Sequence, residues 1–469
     1  MNKKDGEQGL SISVKSFVTA IIVIFALMIL TYALTFLIPG GQYDRIPDAN
    51  GNLIIDTSSE FKSVEGGLPF WKWILSPILV LTADGNAMLI AVIAFLLVIG
   101  GIFNSLDICG LMRYMLDRIV SRFGKARYKL MAILIFFFMA MGSFVGSFEE
   151  CVPLVPIVVA ISVGLGWDAL TGLGMSILAA GCGFAAGICN PFTIGVAQTL
   201  AGLPMFSGAG LRALSFILIY ALLLLFVRAH AKKVEKELNI AESEGFVRNK
   251  KMDRGLASFA GILGAGIVLV FSSSFITFLQ DYTLIIVAVM FLVAGVTATL
   301  VSGMKLSALG KTFGKGCINI LPAVIMILMA ASIKYTLDES NILDTILHSA
   351  VGTAETLPKW AVILFIYLLV LVLNFFIASG SAKAFLLIPL IVPIAQVFGI
   401  PAQLCIMAYA FGDGFSNVFY PTNAALLISL GLADVGYGTW AKWSIKFQLV
   451  NLVLTSGMLL LGLAIGYGM

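Results

Sequence analysis

The chain has 469 residues, 60% of them hydrophobic and only 12% charged, with a formal net charge of +4. A soluble globular chain carries about 25% charged residues, so this composition excludes a water-soluble body of such length. The small positive excess gathers in a few loops and offers nucleic acid no surface to bind.

In chain order, the first element is an apolar run from Phe17 to Pro39, preceded by Lys3, Lys4 and Lys15. It exceeds the roughly 7–15 residues of a secretory h-region and lacks a small-residue cleavage site, so it reads as a retained transmembrane helix near 16–39. A short interfacial run at 70–83, a helix near 87–105 and a basic amphipathic stretch near 108–124 follow. Next come an apolar region at 128–166 and crossings near 169–201, 210–228, 257–277, 283–303 and 317–334. A second apolar region spans 359–399, and the last crossings fall near 402–431 and 441–466. A hydrocarbon core needs about 20 residues of helix, and about nine crossings result.

Charge sets the orientation. Arg113, Arg118, Arg122, Lys125, Arg127 and Lys129 gather in one segment, and Arg228, Lys232, Lys233, Lys236, Arg248, Lys250, Lys251 and Arg254 in another. Lys- and Arg-rich loops stay in the cytoplasm. The loop 40–69 has only Arg45 and Lys62 and belongs outside. The expected product is a multi-pass protein of the cell (inner or plasma) membrane, N-terminus inside and C-terminus outside. A cytoplasmic linker at 229–254 separates a first unit, 1–228, from a second, 255–469. Trp71, Trp73, Trp440 and Trp443 read as interfacial anchors.

The two regions 128–166 and 359–399 share a pattern: an apolar run interrupted by small and polar residues. The first is broken by Gly142-Ser143-Phe144-Val145-Gly146-Ser147-Phe148-Glu149-Glu150, the second by Ser379-Gly380-Ser381-Ala382-Lys383, and each is followed by paired prolines. Half-length helices around such a tip predict a re-entrant helical hairpin, which survives at membrane depth only inside protein or beside a water-filled cavity. Each hairpin precedes a helix predicted to break, at Gly187-Ile188-Cys189-Asn190-Pro191-Phe192-Thr193 within 169–201, and at Gly412 to Asn417 and Tyr420-Pro421-Thr422-Asn423 within 402–431. Ser147 precedes Pro191 by 44 residues and Ser381 precedes Pro421 by 40, while Arg212 and Lys442 each follow their proline by 21. With the charge-derived path the hairpins enter from opposite sides. The expected fold class is an all-α polytopic membrane protein of inverted-topology repeats, with two re-entrant hairpins and two discontinuous helices, the architecture of secondary transporters.

At these residues the sequence resembles the YfcC group of the anaerobic dicarboxylate carrier family, which includes arginine/ornithine antiporter-type members. The resemblance covers most of the chain. It rests on Gly146 to Glu150, on Asn190-Pro191-Phe192 with Val196-Ala197-Gln198 and Ala201-Gly202-Leu203-Pro204, and on Gly380 to Ala384. Phe411 to Asn417 and Pro421-Thr422 complete it. The chain departs from the family pattern in having Gly-Ser-Phe, not Gly-Met-Gly, before the paired glutamates, and Tyr420 before Pro421. The resemblance implies a homodimeric scaffold and elevator-like movement of a transport unit.

Ionisable residues at membrane depth cost about 2.5–3.5 kcal/mol each on insertion scales and mark function. Glu149 and Glu150 at the first tip, Lys383 at the second and Asp413 beside the second break are therefore site candidates. A structural ion pair of Lys383 with one carboxylate is the plainest reading. It still leaves two negative charges in excess, which favours a cationic substrate such as a basic amino acid. Glu149, Glu150 or Asp413 would take its cationic groups. Ser147, Asn190, Ser381 or Lys383 would take its carboxylate, with Thr193, Asn417, Thr422 and Asn423 completing the substrate site. A sodium or proton coupling ion fits the same set, with a sodium site near Ser147, Asn190, Ser381 and Asn423. The runner-up is a sodium- or proton-coupled carrier of dicarboxylates or other carboxylates, in which the acids bind the coupling cation and Lys383 with the hairpin hydroxyls holds the anion.

No cofactor or metal centre is expected. Cys109, Cys151, Cys182, Cys189, Cys317 and Cys405 form no CxxC pair and read as packing residues. His230 and His348 read as residues in or near loops, which leaves no intramembrane base for a nucleophilic triad. An intramembrane aspartyl protease is the remote enzyme alternative. Its GxGD signature is incomplete here because residue 410 is Ala.

Overall fold

The computed structural model describes residues 14–47, 53–55, 60–83, 87–123, 126–204, 206–236, 248–273, 283–354, 356–377 and 379–468. Five described helices are long and apolar enough to cross a membrane: Leu89–Ile108, Arg127–Val145, Ala209–Val234, Leu306–Glu339 and Tyr437–Ala464. Shorter apolar helices accompany them, among them Ile21–Leu37, Ile285–Val301 and Lys359–Asn374. The protein is a helical, multi-pass membrane protein.

The first helices are α1 (Val14–Leu37), α2 (Phe70–Leu79), α3 (Ala87–Ile108) and α4 (Leu111–Phe123). Between α1 and α2 the chain makes a ribbon, pairing Gly41–Gln42 with Lys62–Ser63 and Arg45–Pro47 with Leu53–Ile55. This small β element qualifies the all-α expectation. Helices α5 (Arg127–Ala140) and α6 (Val155–Gly164) follow, then α7 (Ala169–Leu173), α8 (Ala179–Ala185), α9 (Val196–Leu200) and α10 (Ala209–Val234). The second half holds α11 (Lys250–Ser273), α12 (Thr283–Val301), α13 (Leu306–Glu339), α14 (Leu343–Ala354) and α15 (Lys359–Asn374). It ends with α16 (Gly380–Val397), α17 (Ala402–Asn417), α18 (Ala424–Leu432) and α19 (Tyr437–Ala464). The linker expected at 229–254 is shorter, since α10 runs to Val234 and α11 begins at Lys250; its middle, 237–247, lies outside the described residues.

Glycines let the helices approach, as lipid supplies no hydrophobic drive between them. A Cβ on Gly316 of α13 would stand 2.2 Å from the Gly100 carbonyl oxygen of α3, and Asn104 Nδ2 donates to the Thr312 carbonyl over 2.6 Å beside it. The second close stack is central. Gly183 of α8 abuts Met139 of α5, Gly414 of α17 abuts Ala185 of α8, and Gly412 of α17 abuts Val370 of α15. Every residue of α17 is buried.

This stack corrects one expectation. Gly412 to Asn417 do not break the helix; they are its last helical residues, and the two glycines serve packing instead. The break comes at 418–423. The first tip is shorter than expected too. Gly142 and Ser143 stay helical within a π turn, Met141–Val145, so the arm Arg127–Val145 is 19 residues long rather than half-length. The chain leaves the helix at Gly146, whose φ of 76° suits a residue without Cβ. Gly380 to Lys383, expected in the second tip, form the first turn of α16.

Two other expectations change. Trp73 and Trp440 are buried rather than interfacial, and their indole N–H groups donate to the Met28 and Val418 carbonyls at 3.2 and 2.9 Å. His230 lies within α10, and its Nε2 is 2.9 Å from Asp168 Oδ2. Asp168 caps α7 by accepting from Thr171 N at 2.9 Å. Burial alone would raise the Asp168 pKa; its hydrogen bonds with His230 and Thr171 outweigh that and hold it below the ordinary carboxylate range.

Gly183→Leu should destabilise the protein by at least about 1–3 kcal/mol through overpacking, read as a lower unfolding temperature in detergent. Gly457→Ala, at a site with nothing within 4 Å of the new Cβ, should leave that temperature unchanged. A depressed Asp168 contributes stability above its unfolded pKa of about 3.9, lost as pH falls through its folded value. Wild type should therefore lose unfolding temperature on acidification below about pH 4, and Asp168→Asn should lack that component.

Candidate functional site

The first tip folds onto the first break. A Cβ on Gly146 would lie 2.3 Å from Asn190 Oδ1, so the tip rests directly on that side chain. Ser143 ties the same parts together. Its hydroxyl donates to the Ala186 carbonyl over 2.9 Å, and its own carbonyl accepts from Ile188 N and Cys189 N at 3.1 and 3.2 Å. Beyond the break, Asn190 caps the next helical segment by accepting from Phe192 N and Thr193 N at 2.9 and 3.3 Å. Pro191 occupies the first helical position, where a missing N–H costs nothing.

The second break is organised around an ion pair. Lys383 Nζ and Asp413 Oδ1 lie 2.6 Å apart, and both side chains are fully buried. Lys383 also donates to the Ile377 carbonyl over 3.1 Å and to Asn374 Oδ1. Asn374 Nδ2 reaches Ser416 Oγ at 2.7 Å and Asn417 Oδ1 at 2.9 Å. Asn423 Nδ2 donates to the same Asn417 oxygen over 3.0 Å, while its Oδ1 accepts from Leu426 N and so caps α18. The anticipated pair of Lys383 with a carboxylate is present, and Asp413 is the acid. An aspartyl protease would need a second aspartate against Asp413; its described partner is a lysine.

The two halves meet here. A Cβ on Gly380 would lie 2.7 Å from Asp413 Oδ2 and 2.9 Å from Thr193 Cγ2. Glu149 and Glu150 begin the 3-10 turn Glu149–Leu154 that follows the first tip. Among the described residues no Lys or Arg forms an ion pair with Glu149 or Glu150. Ser147 Oγ, Glu150 Oε2, Asn190 Nδ2, Thr193 Oγ1, Asp413 Oδ2 and Thr422 Oγ1 are buried without a hydrogen-bond partner. An unsatisfied buried polar atom costs about 1–3 kcal/mol, so their concentration at the first tip, the two breaks and Asp413 suits a polar ligand. Ser381 has its backbone in the first turn of α16; its side chain lies outside the described set.

Sequence reasoning missed Ser143 and Asn374, the polar residues that grip each break from the preceding arm. It also missed Arg212, which is 1% exposed. Arg212 Nη2 donates to the carbonyls of Ile188 and Phe206 at 3.1 and 3.3 Å, and so ties the first break to α10. A lone Asn closing an apolar run, as in Leu373-Asn374-Phe375, was the available signal.

With this geometry in place, comparison with known proteins is decisive on one point. The family description of DcuC, the C4-dicarboxylate anaerobic carrier, matches residues 17–464. The chain belongs to the DcuC family. This DcuC-family chain is 28% identical over 373 residues to an Escherichia coli (strain K12) protein named "Putative basic amino acid antiporter YfcC", covering 75% of this chain and 73% of that one. It is 22% identical to an uncharacterized Haemophilus influenzae protein, covering 95% of this chain and 96% of that one. The crystal structure of the Alcanivorax borkumensis YdaH transporter aligns at 19% identity and a TM-score of 0.44, over 97% of this chain and 99% of that one. Neisseria gonorrhoeae MtrF aligns at 16% identity with the same score, over 95% and 94%. Scores of 0.44 do not establish a shared fold. Family membership makes this protein a transporter, with a small-molecule substrate and a place in a lipid bilayer.

Removing one partner of a buried ion pair leaves the other charge uncompensated, at about 3–5 kcal/mol. Lys383→Met should therefore strongly lower the unfolding temperature in detergent. Adding Asp413→Asn to it should restore much of the loss.

Proposed function

We propose that this protein carries amino acids with a cationic side chain, by exchange or uptake. The observation behind this reading is that Lys383 is fully engaged by Asp413, Asn374 and the Ile377 carbonyl, while among the described residues Glu149 and Glu150 have no cationic partner. A basic amino acid brings the positive charge this arrangement lacks. Its carboxylate suits the helix starts at Asn190 and Asn423, where the positive ends of the helix dipoles lie. Ser147, Thr193 and Thr422, whose hydroxyls have no partner, complete the set, with Ser381 as a further candidate. The printed name of the YfcC relative agrees with this substrate class.

Alternating access in this reading is elevator-like, within a homodimer of the cell membrane. Segments 128–166 and 359–399 act as re-entrant hairpins of two inverted units, 1–228 and 255–469, joined by a cytoplasmic linker. A second reading has support of its own, because the family description is of a C4-dicarboxylate carrier. Glu149, Glu150 and Asn190 would then hold a coupling sodium ion or proton, and the helix starts would hold the dianion.

Uptake by reconstituted vesicles separates the two. Labelled arginine should enter, ornithine should compete and succinate should not. Glu149→Gln should reduce arginine uptake to the level of empty vesicles while leaving the unfolding temperature in detergent unchanged. Competition by succinate alone, or full activity of Glu149→Gln, would overturn the reading.

A further inference from the structure

A cavity of about 180 Å³ opens beside the second tip, under the ribbon that precedes α2. A single water needs ~10–15 Å³ by this measure, so a small molecule has room. Arg45 of the ribbon, with Lys334 and Asp338 of α13, forms one wall; Ile377, Ala382 and Phe385 form the other. Arg45 is fixed, donating to Asp344 Oδ1 and Oδ2 at 2.9 and 3.1 Å and to the Tyr43 carbonyl at 3.2 Å. Its hydrogen-bonding capacity is largely used.

Lys334 differs. Its ion-pair partner, Asp338 one turn along α13, is 3.7 Å away, a loose pair, and the Lys334 side chain is 48% exposed. An ammonium has three donors, so beside this loose pairing Lys334 keeps donors for an occupant of the cavity it lines. The opposite wall is not inert. Ile377 gives its carbonyl to Lys383 over 3.1 Å, and Ala382 directly precedes that lysine. The cavity and the buried Lys383–Asp413 pair are separated by this one segment of chain.

We propose that the cavity is a second ligand site, in which Lys334 takes the carboxylate of a small molecule, Arg45 supplies supporting positive charge, and Asp338 receives an α-ammonium where one is present. An occupant leans on Ile377 and Ala382 and so stages passage past the tip that holds Lys383. Its charged ligands, Lys334, Arg45 and Asp338, are not among the residues assigned to the inner site, and it rests on the transport reading only for the molecules tried.

The test is chemical protection of Ala382→Cys, an exposed position on the cavity wall, in a protein whose six native cysteines are replaced by alanine. A water-soluble maleimide should label it, and arginine and succinate should each slow labelling. Agmatine, which keeps the guanidinium and lacks the carboxylate, should not. Lys334→Gln should raise the protecting concentration about tenfold, the loss of one charge-assisted hydrogen bond, and Lys334→Arg should keep protection. Glu149→Gln should protect as before, so inactivity at the inner site leaves this result standing. Protection that survives Lys334→Gln, disappears in Glu149→Gln, or is matched by agmatine would overturn the proposal. So would absence of protection by either carboxylate.

Discussion

The contact between Lys383 and Asp413 is the constraint on which the middle of the molecule depends. Two full charges without solvent exposure are tolerable only when each satisfies the other and further hydrogen bonds absorb what remains. Asn374 and the Ile377 carbonyl do this for the lysine. That requirement fixes three pieces of chain at once: the end of α15, the start of α16 and the last turn of α17. Once they are fixed, Gly380 is brought against Thr193, and the second half of the chain is registered on the first.

Close packing makes that registration possible. Helix α17 has no face toward lipid or water, and glycines at 412 and 414 let it sit against α15 and α8. Three residues of α19 then attend to its end. Gln448, Trp440 and Tyr437 donate to the carbonyls of Phe415, Val418 and Phe419. These are the acceptors that a terminating helix leaves without intrahelical donors, and outside water they need partners from elsewhere. A broken helix in a membrane is thus kept broken by its neighbours.

Much of this was legible in the sequence. Charge scarcity and long apolar runs pointed to the membrane class, and the rule that intramembrane charges pair pointed to the Lys383 ion pair, which Asp413 completes. Asn-Pro at 190–191 and the Tyr-Pro-Thr-Asn run at 420–423 located both breaks, since proline and an amide side chain leave a helix start with its donors capped. Gly412 and Gly414 misled because glycine both weakens helices and permits their contact, and only the neighbour decides which. Ser143 and Asn374 were invisible for a related reason. Their partners lie more than 35 residues away in the chain, at Ala186 and Asn417, and local pattern has no access to that distance. Trp440 looked like an anchor because an indole near a helix end has the same composition whether it meets headgroups or a carbonyl.

The wide turns in the first half have a consequence for comparing the two halves. Met141–Val145, Gly174–Leu178 and Pro191–Gly195 are all π turns, and the described second half has none. Each bulge adds a residue to its helix and turns every later side chain by about 100°. Counting residues across such a turn on an ideal helical wheel would therefore assign the side chains beyond it to the wrong face. Asn190 and Asn423 nonetheless do the same job, each capping the helix that follows a break.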